Sequence, residues 1–273
     1  MGRAEPERRK TLNSGQLEVL NLLFEFRYGT NDLFAAYFDK KDRSFVHKRM
    51  TILLERGLVG KRFDKSYRLN GKPGAYYLTA EGARKLQETL DFDIRIKSIY
   101  KDKDLSEQFV GYSLELFAFY NRLRAQYKLL DFLTRSVVSH EDQDYFPEPL
   151  PSAYIRLKAG EQQKQFFLEV LHDDQPWFVA VRMILRHIKY VEDSDWEETD
   201  TSPAILLVCE SERLAKRVQK RIAKAVSDSY DEGIIEFAVA TKEDLLSGET
   251  AIWKTEVNGE PLTLKQLDEW INQ

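Results

Sequence analysis

The sequence predicts an α+β protein of two domains, a small mainly helical one closed by a β-hairpin and a larger α/β sandwich with a mixed sheet. The chain has 273 residues, more than one small domain needs, and 42% of them are hydrophobic, enough for two cores. The first 90 residues contain 18 Lys and Arg against 11 Asp and Glu, whereas the remaining 183 contain 23 against 34. The first part can therefore attract a polyanion, while the second on average repels one.

The first domain is predicted over residues 12–90, after a flexible polar tail at 1–11. Its first helix has Ser14 as its expected cap, and its apolar stripe consists of Leu17, Leu20, Leu23 and Phe24. A second, short helix is expected at LFAAYF, directly after Thr30. These two helices precede the segment that predicts function.

A third helix is predicted after Asp42, which is a suitable N-cap. Apolar residues at helical spacing form its inner side: Val46, Met50, Leu53 and Leu54. The opposite side consists of Ser44, His47, Lys48 and Thr51. Gly57 is expected to end the helix.

A charged β-hairpin is predicted next, with a strand from Leu58, a turn at residues 71–74 and a return strand at 75–78. Thr79 then caps a helix that reaches Leu90. Between Lys40 and Lys72 there are eleven Lys or Arg and three acidic residues. A helix followed by a basic hairpin is typical of a winged helix-turn-helix domain, and the surplus of cations suits contact with phosphates.

These observations predict double-stranded DNA as the partner. The expected base-reading residues are Ser44, His47, Lys48 and Thr51, and the expected backbone contacts are Arg43, Arg49, Lys61, Arg62, Lys65 and Arg68. Winged domains also serve as protein-interaction modules, so an adaptor is an alternative, with a protein partner on the acidic second domain. Because operators read by such domains are commonly symmetric, we expect a homodimer.

A charged, aperiodic linker is predicted at 91–106, and the second domain at 107–273. It opens with a long amphipathic helix whose stripe is core or the dimer interface: Phe109, Tyr112, Leu116, Phe119, Leu123 and Tyr127. Strands are expected at 129–138, 152–158, 165–172, 204–209, 234–240 and 252–255. Helices are expected at 177–190 and 211–226, with short ones at KEDLL and LKQLDEWI. This order predicts a mixed sheet.

Composition argues against several other classes of protein. The single cysteine, Cys209, lies in an apolar run and excludes a disulfide framework, which fits a reducing, cytoplasmic location. No apolar run is long enough to span a membrane. The four histidines lack metal-ligand spacing and no Walker sequence is present, so no cofactor is expected.

Three strings in the first domain resemble the replication-relaxation family of plasmids and mobile elements: QLEVL at 16–20, RMTILLERGLV at 49–59 and YYLTAEGA at 76–83. The strings PSAY at 151–154, FLEV at 167–170 and HIKY at 187–190 resemble that family's restriction-endonuclease-like domain. The resemblance implies a role in replication or its transcriptional control.

Active members of that nuclease fold hold Mg²⁺ with an acid on one strand and an acid-x-Lys motif on the next. Here Ser152 occupies the first acidic position, Glu169 the second, and Leu171 the position of the lysine. Asp173 or Asp174 could supply a second carboxylate, and Lys164 or Lys189 an amine. We therefore expect an inactive nuclease-like domain. The alternative is a Mg²⁺-dependent nickase that uses Glu169 and Asp173.

Overall fold

A computed structural model describes residues 11–40, 42–89, 94–99, 101–139, 146–193, 203–228, 236–255 and 260–267. The chain divides into two compact units, Met1–Asn121 and Arg122–Gln273. The sequence prediction starts the second domain at residue 107, so the division in the structure falls later in the chain.

The first unit contains a three-stranded antiparallel sheet surrounded by helices. Its elements are α1 (Ser14–Phe26), β1 (Tyr28–Gly29), α2 (Asn31–Tyr37), α3 (Arg43–Glu55), β2 (Val59–Arg62), α4 (Lys65–Leu69), β3 (Ala75–Leu78) and α5 (Ala80–Gln87). The strand order is β1-β3-β2. Asn13, not Ser14, caps α1, because its side chain accepts from the Gln16 N–H in a capping box. The predicted caps Asp42 and Thr79 are confirmed.

The predicted hairpin contains an unpredicted helix, α4, between its two strands. The Asp64 side chain accepts a hydrogen bond from the Tyr67 N–H and caps α4. Gly71, at φ +62°, follows the helix, and the Lys72 N–H donates to the Tyr67 carbonyl. The turn at 71–74 therefore begins as the C-terminal end of a helix, and α4 is held rigidly at both ends.

Residues 94–99 and 101–106, which the sequence predicts as part of a linker, belong to the first unit. They contain α6 (Ile96–Ile99) and a 3₁₀ turn at Asp102–Asp104. Ile94 and Ile99 are buried, and the Asp102 carboxylate is paired with the Arg27 guanidinium. The apolar residues of this charged stretch are too sparse to produce a periodic signal.

Helix α7 (Glu107–Gln126) begins in the first unit and contributes aromatic rings to the core of that unit. Phe117 stacks on Phe26 at 4.6 Å, with the two rings 8° from parallel. Most of the stripe predicted as a dimer interface is buried: Leu116, Phe119, Leu123 and Tyr127. These four side chains therefore match the alternative prediction, that the stripe is part of a core, and they do not form an exposed dimer interface.

The second unit is built on a six-stranded mixed sheet, which confirms the α+β class. Its elements are β4 (Leu129–Thr134), α8 (Arg135–Val138), β5 (Ala153–Ala159), β6 (Gln162–Leu171), α9 (Trp177–Glu192), β7 (Ala204–Cys209), α10 (Glu212–Ser227), β8 (Phe237–Thr241), α11 (Lys242–Ser247) and β9 (Lys254–Thr255). The strand order is β4-β5-β6-β7-β8-β9, and β6, β7 and β8 are parallel.

Two elements predicted from the sequence of this unit have different bounds in the structure. The strand predicted at 129–138 ends at Thr134, where α8 begins, and β4 pairs with β5 through a register shift between Leu129 and Asp131. Residues 264–267 of the predicted LKQLDEWI helix form turns, and the remainder lies outside the described residues.

Helices α9 and α10 cover one face of this sheet. Their buried residues, which include Ile184 and Val218, pack with Phe167, Leu171 and other strand residues in one apolar cluster. Because side chains alternate along a strand, Glu169 lies on the same face as Phe167 and Leu171 and points toward α9. Among the described residues, no helix has the length and apolar character needed to cross a bilayer.

Candidate nucleic-acid interface

Helix α3 presents a polar side to solvent, as predicted. Val46, Met50 and Leu53 are completely buried, whereas Ser44, His47 and Lys48 are exposed. Thr51 is half-buried, and its Oγ1 donates a 2.9 Å hydrogen bond to the His47 carbonyl. Three of the four predicted base-reading side chains therefore lie together on an accessible helical surface. Two hydroxyls are engaged locally, because that of Ser44 donates to the Asp42 carboxylate and that of Thr51 to the His47 carbonyl.

The two arginines predicted to flank this surface differ in environment. The Nε atom of Arg43 lies 2.8 Å from Oδ1 of Asp32, and both side chains are exposed. The Arg49 guanidinium instead lies over the rings of Phe38 and Phe45, at 4.6 and 4.4 Å, and this burial lowers its pKa. Gly15 makes room for it, because a Cβ there would lie 2.3 Å from Nη2 of Arg49. Arg49 therefore has a packing role.

Arg62 also points into the first unit. Its guanidinium donates to the carboxylate of Glu107 and to the carbonyl of Leu105, and its side chain is only 18% exposed. The Tyr67 hydroxyl donates a 3.0 Å hydrogen bond to the same Glu107 carboxylate. Glu107 thus joins β2 and α4 to the start of α7, and Arg62 has a structural role that the sequence pattern does not reveal.

The remaining predicted backbone contacts, Lys61, Lys65 and Arg68, are exposed on β2 and α4. The Phe63 ring lies between two of these cations, 4.8 Å from the Lys61 Nζ and 5.3 Å from the Arg68 guanidinium carbon. Sequence reasoning missed the helix that holds Lys65 and Arg68. The signal that could have revealed it is Asp64, a helix-capping residue type three positions before Tyr67.

The sequence-predicted nuclease positions meet in the second unit around a buried carboxylate. Ser152 precedes β5, and its Oγ donates a 3.1 Å hydrogen bond to Glu169 Oε2 on β6. Two side chains of α9 approach Oε1 of Glu169: the Arg186 guanidinium donates to it, and Nε2 of His187 lies 3.0 Å away. Burial pushes the pKa of Glu169 up, but His187, Arg186 and Arg135 together hold it below its ordinary value. The carboxylate is therefore ionised and already neutralised by protein cations.

Asp173 does not join this cluster. It is exposed after β6, where Ser211 Oγ donates a 2.8 Å hydrogen bond to its carboxylate and its own N–H donates to Glu210. The Lys164 Nζ donates a hydrogen bond to the Leu267 carbonyl, and Lys189 is exposed on α9. In the part of the chain that the structure describes, no group of three or more His, Cys, Asp or Glu could hold a metal ion.

No protein-family model matches the chain, and no curated protein matches it. Among solved structures, it is similar to restriction endonuclease FokI at 9% identity and a TM-score of 0.31. It is also similar to FokI bound to DNA, at 10% identity and a TM-score of 0.26. In both cases the match covers 85% of this chain and 43% of the other, and at these scores the likeness carries no argument about fold or function.

Proposed function

We propose that this chain binds double-stranded DNA through its first unit, which we assign to the winged helix-turn-helix class. Three helices, a strand pair and the basic α4 between those strands follow each other in the order typical of that class. The observation that carries the proposal is a set of exposed cations on three elements of the first unit: Lys48 on α3, Lys61 on β2, and Lys65 and Arg68 on α4. Among the described residues, none of the four has a carboxylate within ion-pair distance.

In this proposal α3 enters the major groove, where Ser44, His47 and Lys48 face the base edges. Lys61, Lys65 and Arg68 contact phosphates beside the groove, which fixes the position of α3 without reading sequence. Arg49 and Arg62 act indirectly, by holding α3 and β2 in place. Affinity is then expected to fall steeply with salt, since each neutralised phosphate releases counterions.

We assign the second unit to the restriction-endonuclease-like class and propose that it does not cut DNA. The support is the state of Glu169, which is buried and bound by Ser152, Arg186 and His187. A metal ion would have to displace an arginine from that carboxylate. The resemblance of the motif strings to the replication-relaxation family implies that the protein acts in plasmid replication or its control. The common symmetry of operators read by winged domains supports a homodimer.

The test is a fluorescence-anisotropy titration of the full chain with mixed-sequence duplex DNA at low and high salt. A variant with Lys61, Lys65 and Arg68 each changed to Glu is compared with one in which Arg84, Lys101 and Lys103, also exposed, are changed in the same way. We expect the first variant to lose at least about tenfold in affinity at low salt and the second to retain wild-type affinity. Equal loss in both variants, or no salt-sensitive binding by the wild type, would overturn the proposal.

The same titration mixtures, incubated with Mg²⁺ or Mn²⁺ and separated on a denaturing gel, test the second unit. We expect intact DNA. Cleavage that disappears in Glu169→Ala but persists in the exposed control Asp228→Ala would replace the proposal with a metal-dependent nuclease. A protein that binds no DNA at any salt concentration would instead support the adaptor.

A further inference from the structure

Helix α10 carries a concentrated positive charge in a unit that is acidic overall. Six of its sixteen residues are Lys or Arg and one, Glu212, is acidic. Residues 122–273 as a whole contain 19 Lys and Arg against 28 Asp and Glu. The average charge therefore conceals a local basic surface on this helix.

The cations of α10 lie on one exposed side of a rigid helix. Its other side, which includes Ala215, Val218 and Ile222, is buried against the sheet. Lys216 lies 3.5 Å from Glu212, but no described carboxylate is within ion-pair distance of Arg213, Lys220 or Lys224.

The neighbouring helix α9 extends this surface. The guanidinium carbon of Arg217 lies 3.8 Å from the centre of the Trp177 ring, so a residue of α10 stacks on the first residue of α9. The next residue, Phe178, is 55% exposed, and the Arg182 guanidinium lies 5.0 Å above its ring. We call the surface formed by Arg182, Arg213, Arg217, Lys220 and Lys224 the α9–α10 face.

We propose that the α9–α10 face is a second DNA-binding surface, which contacts the phosphates of a duplex independently of α3 and α4. From Arg213 to Lys224 the helix rises roughly 16 Å at 1.5 Å per residue, the length of about five base-pair steps. Its cations recur about once per turn along this distance, which suits a regular row of phosphates. The aromatic rings under Arg182 and Arg217 fix both guanidinium groups before any ligand binds.

Two other anionic partners fit the face less well. A helix that lies on a membrane buries its apolar side in the lipid, but the apolar side of α10 is already buried in the protein. A protein partner would draw most of its binding energy from apolar anchors. Phe178 is such an exposed side chain on α9, but it lies under the Arg182 guanidinium, and the exposed residues of α10 include no apolar residue larger than alanine.

The test uses the full chain with Arg213, Lys220 and Lys224 each changed to Glu. The matched control changes Lys128, Lys158 and Lys265, which are exposed elsewhere on the same unit, to Glu. With a long mixed-sequence duplex we expect the α10 variant to lose about tenfold or more in affinity at low salt. We also expect the slope of log affinity against log salt to become shallower by about 2 to 3. The control should keep the wild-type slope, and matching thermal melts establish that all variants fold.

The two proposals fail separately. If the α10 variant behaves as its control while the Lys61, Lys65 and Arg68 variant loses binding, the second surface is overturned and the first stands. If only the α10 variant loses binding, the first surface is overturned and the second stands. Combining both sets of changes should remove the salt-sensitive binding that each variant retains. The inference would also be overturned if the α10 variant lost binding to phosphatidylserine vesicles or polyglutamate while its salt slope with DNA stayed at the wild-type value.

Discussion

Ser152 and Glu169 face each other at one end of the β5–β6 strand pair of the larger unit, with the serine hydroxyl 3.1 Å from Oε2 of the carboxylate. In an active nuclease of the class proposed here, two acids would occupy these positions and share a metal ion. Here a neutral donor and the cationic Arg186 take up the carboxylate instead. The pair therefore joins β6 to the segment before β5, and α9 adds a third attachment.

Glu169→Ala is expected to destabilise the second unit by about 3–5 kcal/mol, because it leaves the buried Arg186 guanidinium without its carboxylate. Asp173→Ala, an exposed change four residues away, should cost less than about 1 kcal/mol. Urea unfolding monitored by circular dichroism measures both values. An unchanged midpoint in Glu169→Ala would show that the cluster does not support the fold.

Alanine substitutions at Arg62 and Arg68 should affect different properties, stability and DNA binding, although both residues were predicted as phosphate contacts. Arg62→Ala removes the donor to Glu107 and Leu105, so we expect a loss of about 1–3 kcal/mol in stability. Arg68→Ala should leave the melting temperature within about 1 °C of wild type, because exposed substitutions have little effect, while it weakens DNA binding. Thermal melts and anisotropy titrations of both variants separate the two roles. Equal stability would contradict the assignment of Arg62.

The ion pair between Arg27 and Asp102 predicts a third effect. The Asp102 side chain is 1% exposed, so Asp102→Ala should cost about 3–5 kcal/mol by removing the carboxylate that pairs with a guanidinium itself only 15% exposed. The double variant Arg27→Met/Asp102→Ala should be more stable than Asp102→Ala alone. Denaturant unfolding of the wild type, Asp102→Ala, Arg27→Met and the double variant forms the cycle, and strictly additive losses would contradict a direct coupling.

Glu25 makes stability depend on pH near neutrality. Burial, only partly offset by a hydrogen bond from Asn21 and reinforced by the charge of Glu18, raises its pKa from 4.5 to about 7. A raised pKa gives a contribution that is complete below pH 4.5 and is lost as the pH rises through about 7. Glu25→Gln should therefore be more stable than wild type above pH 7 by about 1–3 kcal/mol, with little advantage below pH 4.5. Unfolding free energies across this range test it, and the exposed change Glu55→Gln is the control.

Two helical glycines should respond oppositely to alanine. A Cβ at Gly82 in α5 would lie 2.0 Å from the Leu58 carbonyl oxygen, a backbone atom, so Gly82→Ala should destabilise by several kcal/mol, roughly 2–4. A Cβ at Gly111 in α7 would have no neighbour within 4 Å, so Gly111→Ala should stabilise by about 0.5–1 kcal/mol. Melting temperatures that move in the same direction would contradict this account.

Periodic segments were predictable because their apolar residues repeat at one spacing. The inner residues of α3, the strand at 204–209 and the alternation that directs Glu169 toward α9 all follow from such patterns. The strand β1 was missed because it is only two residues long, and α4 because it is only five.

The roles of individual cations were less predictable than the elements that carry them. Arg62 and Lys61 are adjacent in β2 and chemically alike, and Arg62 is distinguished by its contacts with the distant Leu105 and Glu107. The basic side of α10 is plain in the sequence, but its accessibility depends on how α9 and the sheet bury the opposite side. Long-range contacts of this kind leave no local pattern.

The register shift between Leu129 and Asp131 has a consequence for self-association, because β4 is the outermost strand of its sheet. An irregular edge cannot offer an unbroken row of amides and carbonyls to an added strand. The ion pair between Asp131 and Arg156 puts charge beside that irregularity. Two copies of the chain are therefore not expected to join through β4 into one continuous sheet, and this edge is protected against aggregation.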